Sequence, residues 1–300
     1  MKTFLKEDRT PVYSPFHEPI GTVTPGETFV VETEDGFDGR YQSPEDYTPE
    51  TVEWVEDHLC IVTGPIAVEG ASPGDVVAVE IEDVQVTTPA IYERTRYSDP
   101  SPEDWWLETY ACTKFPVEDG HVVFDEETRI PVRPLIGCIA TAPKYEVILA
   151  RREGPYGGNM DCNDVSAGST VILPVNVDGA LLYFGDCKAA MSDGEIVNAA
   201  EVGTRITARA SVRPRPKAMS WPRIETKDSL MSVVSDISLA TACRQSFREI
   251  MLWLEEDHGV EREKAALVMG LVAHVRVCQV SNTFHTARCE MPREFIPRAV

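Results

Sequence analysis

SPGDVVAVEIED, Ser72 to Asp83, reads as a strand that buries one face. Glycine tolerates the positive φ of a type II turn, so Pro73-Gly74 punctuates the chain before the strand begins. Val77, Val79 and Ile81 then fall on one side, while Ala78, Glu80 and Glu82 fall on the other, the alternation a half-buried strand requires. An earlier stretch, TPGETFVVETED at Thr24 to Asp35, has the same grammar: Pro-Gly-acid, three residues, Val-Glu, one residue, Glu-Asp. The echo fits either a duplicated β-unit or one turn-strand pattern used twice.

Outward from these stretches, short valine-rich runs bounded by Pro-Gly or Asp-Gly turns continue through the first two thirds of the chain. STVILPVNV and GALLYFGD, separated by Asp178-Gly179, read as a hairpin. Beyond Ile224 the period changes. Leu239, Cys243, Phe247, Ile250, Met251 and Leu254 recur at helical spacing, and Gly259 stands where a helix C-cap belongs. A second helix is expected from Glu261 to about Val275, apolar on nearly every face and so buried, with His274 as a core imidazole. His258 reads as a favourable charge at a helix C-terminus. VRVCQVSNTF and TARCEMP return to extended structure. The expected class is mainly β, with sandwich, jelly-roll-like and barrel-like units and a C-terminal α+β portion. The Pro-rich stretch Ser211 to Arg223 is the linker candidate, giving a β-rich domain at residues 1–215 and an α+β portion at 216–300.

The 49 acidic residues against 28 Lys and Arg give a formal charge of −21, which repels a phosphate backbone or an anionic membrane and argues against nucleic acid as a partner. The eight cysteines form no CxxC pair, so neither a zinc ribbon nor a disulfide scaffold is indicated, and free thiols are expected. MKTFLKEDRT carries charges where a signal peptide has an apolar run, and no 18-residue apolar segment follows. A cytoplasmic protein without a membrane partner is expected.

Two stretches, read as loops, hold the chemistry: GGNMDCND (Gly157 to Asp164) and FGDCKAAMSDGE (Phe184 to Glu195). Together they offer Asp161, Asp164, Asp186, Asp193 and Glu195, with Asn159, Asn163, Cys162, Cys187 and Lys188. Their glycines would let backbone N–H groups approach a ligand. Amide hydrolysis needs an activated nucleophile, donors for an oxyanion and an acid for the leaving amine, and this inventory can supply them. Asp-Gly and Gly-Asp also simply make turns. Trp105-Trp106 could line a pocket or pack beneath a loop.

The chain resembles the acetamidase/formamidase family through TGPIAVEGASPGDVVAVEI, PLIGCIATAP, GPYGGNMDCNDV and LPVNVDGALLYFGDCKAAMSDGE, and more loosely through ETKDSLM and the C-terminal helices. The resemblance implies a mainly-β homo-oligomer (dimer or higher) that hydrolyses small linear or cyclic carboxamides to carboxylate and ammonia, with a divalent metal, zinc or calcium, in at least some members. Position by position, the Gly-Asn-Met-Asp loop maps to Gly158, Asn159, Met160 and Asp161, and the Val-Glu-Gly-Ala turn to Val68, Glu69, Gly70 and Ala71. The Gly-Asp-x-His-Ala-Ala-x-x-Asp-Gly-Glu stretch maps to Gly185, Asp186, Lys188, Ala189, Ala190, Asp193, Gly194 and Glu195. Lys188 stands where the family pattern has histidine, and Ser192 where it has glycine.

A lysine charged at pH 7 cannot coordinate a metal, so the substitution puts the metal in question. Three readings follow. Asp161 and Asp186, with Glu195 or Glu69, hold a metal that activates water; or the Lys188 ammonium takes over the electrostatic role while Glu195 or Asp193 acts as base; or the site binds a ligand without turnover. Gly158, Asn159 and Cys162 are the expected substrate contacts. Cys187 beside Lys188 is a further candidate nucleophile, provided the chain turns there, because adjacent strand residues face opposite ways.

Overall fold

The computed structural model describes residues 1–94 and 111–296, so Trp105-Trp106 lies outside the described residues. Nine strands form one sheet, in the order Lys2–Phe4, Thr28–Thr33, Thr204–Pro214, Asp75–Val86, Thr170–Pro174, Arg223–Glu225, Ser229–Asp236, His285–Pro292 and His274–Gln279. A second, ten-stranded sheet is built around Leu135–Ala140 and Leu182–Ala190. The class is mainly β, as the alternation predicts.

Val77, Val79 and Ile81 are buried between the sheets with Val171, Leu173 and Ile206, facing Ile136, Ile139 and Phe184 of the second sheet. Ala78 does not face solvent as expected. With Val76 and Ile172 it packs under the helices, so the nine-stranded sheet is covered on both faces at this point. The echoing strands Thr28–Thr33 and Asp75–Val86 flank the same strand, Thr204–Pro214, on opposite edges.

Helix α1 (Pro49–His58) lies in a region read as β. Its signal is Thr48-Pro49-Glu50, where Thr48 accepts from the Thr51 N–H and proline takes the first helical position. Helix α2 (Leu239–His258) ends as predicted, with Gly259 left-handed at φ 63°. It packs Ile250, Trp253 and Leu254 on the sheet. Helix α3 (Arg262–Val272) is capped by Glu261, which accepts from the N–H groups of Glu263 and Lys264. Two expectations fail here. Leu267 and Leu271 of α3 are 73% and 86% exposed, so only the Ala265 and Met269 stripe is buried. His274 begins an exposed strand end and is no core imidazole.

Asp178-Gly179 does not close a hairpin. Thr170–Pro174 belongs to one sheet and Leu182–Ala190 to the other. Gly179, Ala180 and Leu181 all have positive φ, which turns the chain out of one sheet and into the next. The Pro-rich stretch is part strand and part loop, and the strands after it continue the nine-stranded sheet by pairing Arg223–Glu225 with Thr170–Pro174. No helix among the described residues is long and apolar enough to cross a membrane.

Candidate active site

Leu182–Ala190 has Leu135–Ala140 along one edge and two successive partners along the other. Val62–Val68 ends its pairing with Val62 opposite Gly185, and Ala200–Val202 begins with Val202 opposite Cys187. Asp186 falls in the interval at φ 53°, and Gly137 across from it drops out of the register between Ile136 and Cys138. The segment Gly185 to Lys188 is therefore the middle of a strand and not the loop expected from its polar residues. Its strand is buried along nearly its whole length, so no solvent-facing alternation marks it.

In that gap Lys188 is fully enclosed. Its Nζ donates to Asp161 Oδ1 at 2.7 Å and to Asp186 Oδ2, and lies 3.6 Å from Glu201 Oε1. Burial works against the ammonium, but Asp161, Asp186, Glu201 and Glu195 reverse it and hold the Lys188 pKa well above its ordinary value. Room for this contact comes from two glycines. A Cβ on Gly137 would lie 2.5 Å from Lys188 Nζ and 2.6 Å from Asp161 Oδ1, and one on Gly36 would collide with Asp186 Oδ1.

Glu195 completes the group. It is buried, accepts from Ser281 Oγ at 3.3 Å and interacts directly with Asp161. Burial first, then the Asp161 charge, push the Glu195 carboxyl well above the usual range, and burial also raises Asp161 against the pull of Lys188. Asp161 Oδ2 has no hydrogen-bond donor among the described residues, and a protonated Glu195 supplies one. A single proton held on Glu195 would serve both carboxyls. Cys60, Asp161, Asp186 and Glu195 all have left-handed φ, at 66°, 44°, 53° and 36°. Such non-glycine conformations cost about 1–3 kcal/mol each and persist where surrounding structure imposes them, which is common at functional sites.

On the flank of the cluster, the Asn159 amide spans two sulfurs: Nδ2 donates to Cys60 Sγ at 3.5 Å and Cys138 Sγ donates to Oδ1 at 3.4 Å. Gly158, at φ 98°, pairs with Glu153 and Ile139, and its backbone approaches Arg152 too closely for a Cβ. Cys60, Cys138 and Asp186 offer ligand atoms within 4.8 Å of one another and could hold a metal ion. As the chain stands, a hydrogen bond to Cys138 and burial raise the Cys60 thiol well above its ordinary pKa, and burial brings Cys138 to about 11. A divalent ion shared between Asp161 and Asp186 fits less well, because the Lys188 ammonium already bridges those two carboxylates.

The expected loop 157–164 and the segment 184–195 thus converge, but only some of their residues meet. Asp193 is 42% exposed and pairs with Arg288 at 3.0 Å, with Asn163 Nδ2 donating to it at 3.1 Å. Burial pushes the Asp193 carboxyl up, yet Arg288 and Asn163 leave it below its ordinary range. Cys162 is buried against Cys278, near Arg288, with burial raising its thiol. Asn163, Asp164, Asp193, Arg133, Arg276 and Arg288 line a cleft of about 790 Å³. Cys187 faces away from Lys188, accepting from Thr33 Oγ1 at 3.7 Å, and burial takes its thiol to about 12. Glu69 is elsewhere: it is exposed, accepts from Thr24 Oγ1 and follows Val68. Val62 of the same strand is the residue opposite Gly185, so Glu69 lies roughly 20 Å along the strand from the cluster.

Sequence reasoning missed Glu201, Cys60, Cys138 and Glu153. Glu201 sits in Ala200–Val202, too short for its alternation to mark a buried carboxylate. Both carboxylate oxygens of Glu153 are buried without partners among the described residues, and burial, then Asp161, raise it to about 8. The one signal for Glu153 is its place immediately before Gly154 of the glycine-rich stretch.

The sequence profile of the acetamidase/formamidase family matches residues 2–154 and 147–227. The acetamidase of Mycolicibacterium smegmatis is 25% identical over 257 residues, covering 64% of this chain and 63% of that protein. The chain spans a little over three fifths of the length of the curated relatives it matches. Among crystal structures, the acetamidase of Bacillus halodurans is 30% identical, covers 98% of both chains and superposes with a TM-score of 0.90. That of Yersinia enterocolitica is 26% identical with a TM-score of 0.91, covering 99% of this chain and 93% of its own.

Proposed function

The chain belongs to the acetamidase/formamidase family, and from that membership and the buried cluster we infer that it hydrolyses a small linear or cyclic carboxamide to a carboxylate and ammonia or amine. One observation carries the reading: the Asp161 and Glu195 carboxyls meet beside the Lys188 ammonium with all three side chains buried, and we take the pair to hold one proton between them. The ionised member takes a proton from the attacking water, and the protonated member gives its own to the leaving nitrogen. Lys188 stabilises charge developing on the carbonyl oxygen, which would replace Glu201, its longest contact at 3.6 Å. Asp186 fixes the ammonium. The cleft lined by Asn163, Asp164 and Asp193 lies two or three residues along the chain from Asp161 and Glu195, where a small amide would enter.

One feature favours a second reading, a relative that binds a small ligand without turnover. Asp161 and Asp186 already accept two of the three ammonium protons of Lys188, and Glu201 stands 3.6 Å away on a third side. Ammonia release from formamide, acetamide, propionamide and several lactams separates the two. Release that disappears in Glu195→Gln supports hydrolysis at this cluster, and no release from any of them by folded protein supports the binding reading. The same proposal takes the enzyme to be a cytoplasmic homo-oligomer, a dimer or higher, which light scattering of the purified chain tests.

A further inference from the structure

We propose that Cys162 and Cys278 are a modification site: a peroxide oxidises Cys278, and Cys162 closes the product into a disulfide that clamps the candidate active site. Both residues are fully buried, and their thiols are hydrogen-bonded to each other. Arg288 Nη1 donates to Cys278 Sγ at 3.7 Å, while Cys162 Sγ stands 3.9 Å from Asp164 Oδ2, itself paired with Arg288. A guanidinium against a sulfur favours its thiolate, the form that attacks an oxidant. Burial opposes that charge, but Cys162 and Arg288 outweigh it and leave the Cys278 pKa below its ordinary value. By contrast, burial raises Cys138 and Cys187 to about 11 and about 12. Asn163, Asp164 and Arg288 line the cleft, so Cys278 lies one side chain beneath its wall, within reach of an oxidant little larger than water.

The Cys278 sulfur attacks one oxygen of hydrogen peroxide, the O–O bond breaks, and the hydroxide released takes up the former thiol proton and leaves as water. Cys162 Sγ then attacks the sulfenic sulfur, the S–O bond breaks, and a second water leaves with the Cys162 proton. Two thiols and one peroxide become one disulfide and two waters. The link joins the two arms that carry the buried carboxyls. Cys162 follows Asp161 directly, and the Cys278 carbonyl accepts from the Gly194 N–H at 3.2 Å, one residue before Glu195. The Val280 N–H donates back to the Gly194 carbonyl at 3.0 Å, and Ser281 Oγ donates to Glu195. Drawing the sulfurs together to about 2 Å therefore shifts Asp161 and Glu195 relative to each other. The linkage stands whether or not the chain hydrolyses amides, and its effect on turnover rests on that reading.

Hydrogen peroxide added to the reduced full-length chain, in amounts that oxidise the exposed Met1, tests this by peptide mapping without reductant. A linked Cys162–Cys278 peptide pair should form before Cys138 or Cys187 is modified and disappear with dithiothreitol. Cys162→Ser should leave a Cys278 sulfenic acid that dimedone traps, and Cys278→Ser should leave Cys162 a free thiol. Ammonia release should fall at least about 10-fold as the link forms and return on reduction, since a displacement of about 1 Å can cost on the order of 100-fold. Where a serine variant fails to fold, the peptide mapping of the unaltered chain decides. No Cys162–Cys278 link once Met1 is oxidised, oxidation of Cys138 or Cys187 first, or a link that leaves turnover unchanged would each overturn the proposal. A chain that forms the link but releases no ammonia even when reduced supports the modification site and sinks the hydrolytic reading alone.

Discussion

Lys188 and Asp161 meet over the bare Cα of Gly137. The strand Leu135–Ala140 runs between the strand that carries Lys188 and the short strand that precedes Asp161, and only a residue without a side chain leaves the 2.7 Å contact open. Gly137→Ala should therefore cost several kcal/mol, as overpacking and disruption of a buried ion pair combine. Gly270→Ala is the control. Nothing lies within 4 Å of its added methyl in helix α3, so alanine should leave stability unchanged or raise it by up to about 1 kcal/mol. Urea denaturation of the two variants measures the contrast.

Lys188→Met keeps much of the volume and removes the charge. Asp161 and Asp186 then lose their cation in a buried site, and a loss of about 3–5 kcal/mol is expected at pH 7. The deficit should shrink as pH falls, because protonating the stranded carboxylates removes the uncompensated charge. A deficit that stays constant with pH would mean the ammonium is a packing element only.

Glu153 gives the pH dependence its sign. Its folded pKa, about 8, stands above the ordinary 4.5, so the folded chain keeps a proton that the unfolded chain releases. Its contribution to stability is intact below about pH 4.5 and is lost as pH rises through 8, with a slope on the order of 1.4 kcal/mol per pH unit within that window. Glu93, raised to about 7 by burial, acts in the same direction. The difference between unaltered protein and Glu153→Gln isolates the one group: the variant should be progressively the more stable of the two from pH 5 to pH 8, read by thermal melts across that range.

These groups also mark where the sequence could be read and where it could not. Val77, Val79 and Ile81 were legible because one face of their strand meets a core between sheets, while Ala78 was misplaced because the other face meets helices from the far end of the chain. Helix α2 announced itself through spacing and Gly259. Asp161, Asp186, Lys188 and Glu195 were singled out through motif resemblance; Asp161 and Glu195 do lie outside the strands, whereas Asp186 and Lys188 were read as loop residues because a Gly-Asp step ordinarily means a turn. That Asp186 occupies a gap between two partner strands depends on where Val62–Val68 stops and Ala200–Val202 starts, a matter of long-range register. Cys60 and Cys138 carry no spacing signal, because they lie far apart in the chain and only the fold brings them together.

Glu195 and Asp193, two residues apart, divide the role of base by their surroundings. A general base works best with a pKa near the operating pH. Asp193 is partly exposed and kept below its ordinary range against the push of burial, chiefly by Arg288, so it is a weak acceptor of protons. Glu195 is buried, raised and paired with Asp161. Glu195→Gln should lower kcat for acetamide or formamide by at least about 100-fold, within the range that general acid–base groups contribute, with little change in KM. Asp193→Asn should leave kcat within a few-fold and act mainly on KM, because the residue lines the cleft and not the buried cluster. A larger loss of kcat in Asp193→Asn than in Glu195→Gln would move the base to the cleft wall and leave the buried carboxyl pair a structural feature.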